Sequence, residues 1–316
     1  MPDTPVQTSG VAVAACMRNE GIFVLEWLAW HHLLGFDRIF VVTNDCTDGS
    51  DALLARAAKL GLVHHINQTV APGQSPQDLG MDHVLGTCRD LGLSHLLHID
   101  SDEFLVLHEG TLPALLAHTE AADVVPIPWR MFGDGGAHRW TPGDLVLERN
   151  QMAEPAPVPG QTKFKCLFRV NSFRRATDHN PLGPTVPNPV VLTPDADPLT
   201  NRTLYQRKSS RFRPHALAAK ARRAQVFHYA VRSEDCFAMK TDRGDGQGKI
   251  GETKYDLGSS WHRKANRNDV PEPFMQTHLP AIKALLAAWR DDRDLAACER
   301  HCATWFDAQR KAVLGN

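Results

Sequence analysis

No uninterrupted apolar run in the 316-residue chain approaches the ~18 residues that a membrane helix needs. Any membrane contact is therefore expected to be peripheral. The chain also carries almost no net charge, with 35 Lys and Arg against 36 Asp and Glu, and so it offers no basic field for holding nucleic acid. Its first ten residues have neither the charged nor the apolar region of a secretory signal, and its seven cysteines are odd in number and scattered rather than arranged as a disulfide framework. Together these absences point to the reducing cytoplasm, with any membrane association at its inner face. Two nucleotide-binding motifs are missing as well. The loop after the first apolar strand reads Arg18-Asn19-Glu20-Gly21 and not G-x-G-x-x-G, while Gly248-Lys249 has Arg243 where a phosphate-cradling loop needs its first glycine and Ile250 where it needs a hydroxyl. Cys298-x-x-His301-Cys302 lacks a fourth metal ligand and reads as one face of an amphipathic helix.

What is present is an alternation. With 42% hydrophobic and 22% charged residues, the composition is that of a globular protein long enough for one large α/β domain or two ordinary ones. Residues 11–17 read as a strand, 22–34 as a helix stopped by Gly35, and 38–42 as a second strand. A helix over 52–60, a strand over 62–66, a helix over 78–91 closed by Gly92, and a strand over 95–99 follow. Strands alternating with helices at this spacing predict a Rossmann-like, mainly parallel sheet flanked by helices, with the ligand site beyond the strands' carboxyl ends. Three polar loops fall there, at 18–21, 43–50 and 100–103. The last follows the apolar run Leu96-Leu97-His98-Ile99 and brings Asp100, Asp102 and Glu103 together. In an extended chain Asp100 and Asp102 project to one side, where two carboxylates can share a divalent cation bound also to phosphate.

Cys16-Met17-Arg18-Asn19-Glu20, Leu25-Glu26-Trp27-Leu28, Asn44-Asp45-Cys46-Thr47-Asp48-Gly49-Ser50 and His98-Ile99-Asp100-Ser101-Asp102-Glu103-Phe104-Leu105, in that order, resemble the motifs of glycosyltransferase family 2, in its R-N-E…D-x-D-E-F-L branch. The resemblance covers residues 11–107 well and 129–244 more loosely. It implies a GT-A nucleotide-sugar fold, Mn²⁺ or Mg²⁺ on the D-x-D pair, and transfer with inversion from a nucleoside-diphosphate sugar to a glycan or lipid-linked acceptor. Carried over, Asp100, Ser101 and Asp102 match the metal and diphosphate stretch. Arg18, Asn19 and Glu20 match the loop beneath the nucleotide, and Asn44, Asp45 and Asp48 the loop that reads the base. Thr43 stands where relatives usually carry an acid. His228 resembles a late metal or phosphate ligand, and the segment Ser233-Glu234-Asp235-Cys236-Phe237, with Lys240 and Arg243, resembles the helix that follows it.

These residue types suit the chemistry. A leaving nucleoside diphosphate gathers negative charge that a cation and the side chains of Lys240 and Arg243 would offset, and the acceptor hydroxyl needs a base. Asp134, in Phe132-Gly133-Asp134-Gly135-Gly136, is the first candidate base, and Asp178, beside His179, the second. Segment 244–249 is either a loop closing over the donor or a plain linker. The organisation expected is a transferase domain over 1–270, with 10–107 as the nucleotide-sugar half and 108–270 as the acceptor half, and a helical extension over 271–316. Two other readings stay open: a sugar nucleotidyltransferase, which should carry an early basic glycine-rich loop, and a non-catalytic carbohydrate- or nucleotide-binding protein.

Overall fold

Residues 10–206, 210–220, 222–243 and 253–315 are described by the structure, a computed structural model, with the side chains of 241–243 and 253 excepted. The glycine-rich segment 244–249 and the Arg243 side chain therefore lie outside the described residues.

The first part of the chain runs β1 (Val11–Met17), α1 (Val24–Leu33), β2 (Arg38–Thr43), α2 (Ser50–Lys59), β3 (His64–Asn67), α3 (Pro76–Asp90) and β4 (His95–His98). Nearly every side chain of β1 and β2 is apolar because both faces of the sheet are covered. Val13, Ala15, Met17, Ile39 and Val41 enter one core, while Ala12, Ala14, Phe40 and Val42 enter the other. Helix α3 begins with Pro76, and the Ser75 hydroxyl accepts a hydrogen bond from the Asp78 N–H. β1 pairs in parallel with β2 on one side and β4 on the other, and β3 extends the sheet beyond β2. The strand order reverses between β1 and β4, the place where open α/β sheets collect ligands.

β5 (Glu103–Leu107), α4 (Leu112–His118), β6 (Val124–Met131), α5 (Val146–Arg149), β7 (Met152–Ala153) and β8 (Phe164–Arg169) come next. β8 runs antiparallel to β4 and β6, so the sheet becomes mixed beyond its parallel half. The chain then forms β9 (Phe173–Arg175) paired with β10 (Leu182–Pro184), β11 (Val191–Leu192) paired with β12 (Pro198–Leu199), and α6 (His215–Ala218). β13 (Ala224–His228) pairs in parallel with β6 and antiparallel with β5. After α7 (Glu234–Arg243), α8 (Ser260–Ala265) and β14 (Val270–Pro271), the chain closes with α9 (Leu279–Arg290) and α10 (Arg293–Leu314). Leu279, Ile282, Leu286, Leu295, Cys302 and Phe306 of α9 and α10 join the same core as α1. The α/β class expected from the sequence is the one observed, with the sheet order β12-β11-β6-β8-β4-β1-β2-β3 and helices on both faces. Among the described residues no helix is long and apolar enough to cross a membrane.

The run over 96–105 departs from the expected extended chain. β4 ends at His98, the backbone turns at Ser101 and Asp102, and β5 leaves to pair with β13. Local hydrogen bonds make the turn. The Asp100 N–H donates to Glu103 Oε2 at 2.8 Å, and the Glu103 N–H donates to the Asp100 carbonyl at 3.1 Å. Helix α1, buried from Val24 through His31, fixes it from behind. Trp27 Nε1 donates to the carbonyls of Asp100 at 3.2 Å and Glu103 at 3.0 Å, and Trp30 Nε1 to that of Leu105 at 2.7 Å.

Two tests follow from this packing. Trp27→Phe keeps an aromatic ring but leaves two carbonyls short of a donor, and should lower unfolding free energy by ~2 kcal/mol in urea titration. A loss under ~0.5 kcal/mol would show that the indole N–H does not hold the turn. His31 lies wholly inside α1's packing, where burial lowers its pKa to about 3. The unfolded chain takes up that proton near pH 6.5 and the folded one does not, so this imidazole withdraws stability as pH falls from 6.5 towards 3. His31→Phe should therefore gain on the parent by ~1.4 kcal/mol per pH unit below 6, and a difference independent of pH would contradict neutral burial.

Candidate active site

The acidic turn opens into a cavity of about 240 Å³ beyond the carboxyl ends of β1, β2 and β4. Arg18, Glu20, Asn44, Gln77, Asp100, Ser101, Asp102, Asp178, His228 and Lys240 line it, together with Trp129, Lys163, His179 and Trp261. The two aspartates of the turn are held by lysines from different elements. Lys165, on β8 and wholly buried, donates to Asp100 Oδ2 at 2.9 Å, to Asp178 Oδ1 at 2.8 Å and to the Asp178 carbonyl at 2.9 Å, with Glu103 Oε2 3.5 Å away. Gln77 Nε2 adds a bond to Asp100 Oδ1 at 3.0 Å. Burial alone would lower the Lys165 pKa, but Asp100, Asp178 and Glu103 outweigh it and hold the ammonium well above its ordinary range. Glu103 responds the other way. Burial, with Asp100 and Asp102 adding to it, raises its carboxyl well above the usual value against the pull of Lys165. Burial also works against ionisation of Asp178, but Lys165 and His179 prevail and hold that carboxyl below its ordinary range.

Asp102 is paired separately. Lys240 of α7 donates to its Oδ2 at 2.6 Å and to the Ala230 carbonyl at 2.7 Å, while His228 Nε2 stands 3.5 Å from Oδ1. Burial opposes the charge of Asp102, yet Lys240 and His228 keep its pKa well below the usual value. The Tyr229 N–H donates to the Asp102 carbonyl at 2.8 Å, which registers the end of β13 against the turn. The Trp129 ring packs on His228 at 4.3 Å between centroids.

The two remaining loops contribute unevenly. Arg18, Glu20 and Asn44 line the cavity, whereas Asn19, Asp45 and Asp48 do not. Asn19, at φ +53°, accepts from the Thr47 N–H at 2.8 Å and donates to the Thr47 hydroxyl at 3.0 Å, tying the first loop to the second. Asp48 is buried and accepts from the N–H groups of Gly21 at 2.8 Å and Ser50 at 2.9 Å, so it braces the loops and the start of α2. Asp45 is exposed and accepts from the Asn44 side-chain amide at 2.8 Å. Thr43 is buried on β2 with its hydroxyl 2.8 Å from His65 Nε2.

The first candidate base is displaced. Asp134 does not line the cavity; its carboxylate accepts from the Gly136 N–H at 2.9 Å and from the side-chain amides of Asn266 at 2.8 Å and Asn268 at 3.2 Å. It is a turn brace, as an Asp among glycines often is. Asp178 does reach the site, as the partner of Lys165. Sequence reading passed over two residues that organise the site. Lys165 interrupts the otherwise apolar run Phe164-Lys165-Cys166-Leu167-Phe168 of β8, and that interruption was its one visible signal. Arg232, fully buried at φ +63°, donates to Glu20 Oε2 at 2.7 Å and to the Ser101 carbonyl at 2.8 Å over the Phe23 ring. Nothing in its sequence neighbourhood signals that role.

The donor set suits a divalent cation in chemistry. Asp102 Oδ1 and His228 Nε2 face each other, and Asp100 lines the same cavity, but among the described residues no three His, Cys, Asp or Glu side chains converge as a ready metal cage.

No family model matches the chain. A glycosyltransferase family 92 protein of Ricinus communis is 28% identical over 104 residues, which are 32% of this chain and 18% of that protein. Among solved structures, S. aureus TarS 1–349 in complex with UDP-GlcNAc is similar at 12% identity and a TM-score of 0.31, covering 51% of this chain and 45% of that one. Glucosyl-3-phosphoglycerate synthase from Mycobacterium tuberculosis, in complex with Mn²⁺, UDP and glucosyl-3-phosphoglycerate, is similar at 16% identity and a TM-score of 0.26, covering 39% and 44%. The chain thus spans about a fifth of the curated relative and less than half of either structure. At such TM-scores the overlaps add nothing to the topology described above. The sequence similarity is to a glycosyltransferase of family 92, whereas the motifs resemble family 2.

Removing one partner from a buried ion cluster leaves the others uncompensated. Lys165→Met should therefore cost ~3–5 kcal/mol in chemical denaturation, and a loss below ~1 kcal/mol would mean the cluster does not hold the acidic turn.

Proposed function

We propose that this chain is a glycosyltransferase of GT-A type that moves a sugar from a nucleoside diphosphate to an acceptor hydroxyl with inversion. The observation that carries the reading is the acidic turn. Asp100 and Asp102 sit at the strand-order reversal, facing one polar cavity whose other walls supply Arg18 and Lys240. The similarity over 104 residues to a glycosyltransferase supports it.

Breaking the sugar–phosphate bond leaves negative charge on the departing diphosphate, and fixed cations in a partly dry cleft stabilise that charge as it forms. Of the cations that line the cavity, Arg18 and Lys240, which donates to Asp102 of the acidic turn, would serve this role. Mn²⁺ or Mg²⁺, held by Asp102 and His228 with Asp100 beside them, would supply further positive charge to the diphosphate. Glu20 and Arg232 hold the nucleotide-side loop against the turn, and Asn44 presents its amide from the second loop. On the acceptor side Asp178 takes the role of base. Lys165 keeps it ionised and thereby lowers its basicity, so it would accept the hydrogen bond of an incoming hydroxyl and take the proton only late in attack, once bond formation to the sugar has made that hydroxyl strongly acidic. The whole reaction would thus proceed between two lysine-held acids, one serving the leaving group and one the nucleophile.

The deciding experiment is a melting-temperature panel of UDP, GDP and dTDP with and without Mn²⁺, on the parent and on Asp102→Asn. At least one diphosphate should raise the parent's melting temperature more with Mn²⁺ than without, since a ligand of the native state stabilises it by mass action. Asp102→Asn should remain folded by circular dichroism and bind that diphosphate with Mn²⁺ at least ~100-fold more weakly, about 2.7 kcal/mol. No response from any of the three with Mn²⁺ present would overturn the donor assignment.

A further inference from the structure

A second cavity, of about 510 Å³, lies beside the first and is lined by Lys163, Arg202, Arg211, Arg213 and His215. No Asp or Glu lines it among the described residues, and Arg202, Arg211 and Arg213 make no ion pair among them. This concentration of one sign is not a property of the chain, whose formal net charge is −1. Elsewhere arginines are spent on carboxylates, as Arg56 is on Asp292, Arg130 on Glu272 and Arg175 on Asp82. Here three exposed arginines line one cavity, where like charges are offset by solvent or by an anion. The backbone that carries them is fixed. The Thr200 N–H donates to the Arg213 carbonyl at 2.8 Å, and the Thr203 hydroxyl to the Arg211 carbonyl at 2.7 Å. Neutral donors from Thr200, Gln206 and Ser210 stand among the cations.

Lys163 joins the two cavities. It lines both, and its ammonium lies 5.4 Å from the Trp129 ring centroid and 5.9 Å from that of Trp261, two walls of the first cavity. Burial lowers its pKa, and against the pull of Asp178 the charges of Lys165, Lys254 and Arg211 lower it further. Several guanidinium forks with hydroxyl and amide donors between them suit a phosphate group, which takes paired N–H bonds on each face. Building on the donor-site reading above, we propose that the acceptor carries a phosphate ester, which seats in this basic cavity while its hydroxyl passes Lys163 to reach the donor sugar. The distance between cavities then selects acceptors by the spacing between phosphate and nucleophilic hydroxyl.

The test uses the full chain, inorganic phosphate as the probe, and the double variant Arg202→Gln/Arg211→Gln, whose side chains are exposed and unpaired and so should not disturb folding. Calorimetric titration should show phosphate binding to the parent both alone and with the first cavity saturated by whichever nucleoside diphosphate and Mn²⁺ raise its melting temperature. The double variant should bind phosphate at least tenfold more weakly while its nucleotide response is unchanged. Equal phosphate binding by parent and variant, no binding by the parent, or displacement of phosphate by the nucleotide would overturn the proposal. So would binding of anionic phospholipid vesicles or of a single-stranded oligonucleotide that is lost in the variant while phosphate alone does not bind, since the cavity would then serve a macromolecular surface. If no nucleotide binds but the variant still loses phosphate, the donor reading fails and the anion site stands.

Discussion

A single ammonium, that of Lys165, is sealed among Asp100, Asp178 and Glu103, and the geometry of the whole cleft depends on it. It joins the acidic turn after β4 to the strand β8, 65 residues on, and to the segment before β10, 13 residues further. Lys240 repeats the arrangement for Asp102 from α7. Charges buried in pairs rarely add net stability, because desolvation cancels most of the attraction. They do fix direction. Two acids that would repel each other across a short turn are instead drawn towards opposite walls, and the space between them is left for a ligand. Such preorganised charge is costly to fold and useful for catalysis, since no reorganisation remains to be done when charge develops on a bound substrate.

Helix α1 is the support on which this rests. It is apolar nearly all round because sheet and carboxy-terminal helices cover it, and its polar atoms point at backbone rather than water. Its two indoles hold the acidic turn and the start of β5. From the same helix the buried Glu26 carboxylate accepts from the N–H groups of Val146 at 3.0 Å and Leu147 at 2.8 Å, which anchors the start of α5. Burial raises the Glu26 pKa to about 7, against those two hydrogen bonds. One helix thus positions both the turn that faces the first cavity and a connection in the other half of the chain.

The parallel half of the fold was legible because its signals are local. Apolar runs of strand length, glycine stops and polar loops recur at a βαβ interval, and β1 to β4 fall within a few residues of where those signals put them. The acidic stretch was legible as a polar loop at a strand's carboxyl end but not in its folded shape, since that shape comes from the Glu103 side chain and from indoles some 70 positions earlier in the chain. Asp134 and Asp178 look alike in sequence, each a carboxylate in a turn-forming stretch. Which of them reaches the cleft is decided by β8 placing Lys165, a long-range pairing that no local pattern carries. Arg232 was invisible for the same reason: its left-handed backbone and its partners Glu20 and Ser101 exist only once β13 has docked.

Helix α10 runs against the loops of the amino-terminal half. Cys302 is packed so closely to Gly21 that any side chain at that glycine would collide with its sulfur, and His301 stands over Gly49 in the same way. Arg310 reaches further, donating to the Trp140 carbonyl at 2.8 Å and to Asp235 at 3.0 Å. The last helix is therefore the outer lining of the first two loops rather than an appendage. A shortened chain ending ahead of it would uncover both glycines, and a relative built without such a helix would lose the Cys302 collision at Gly21 but would still need glycine at position 49, whose φ of +84° does not depend on α10.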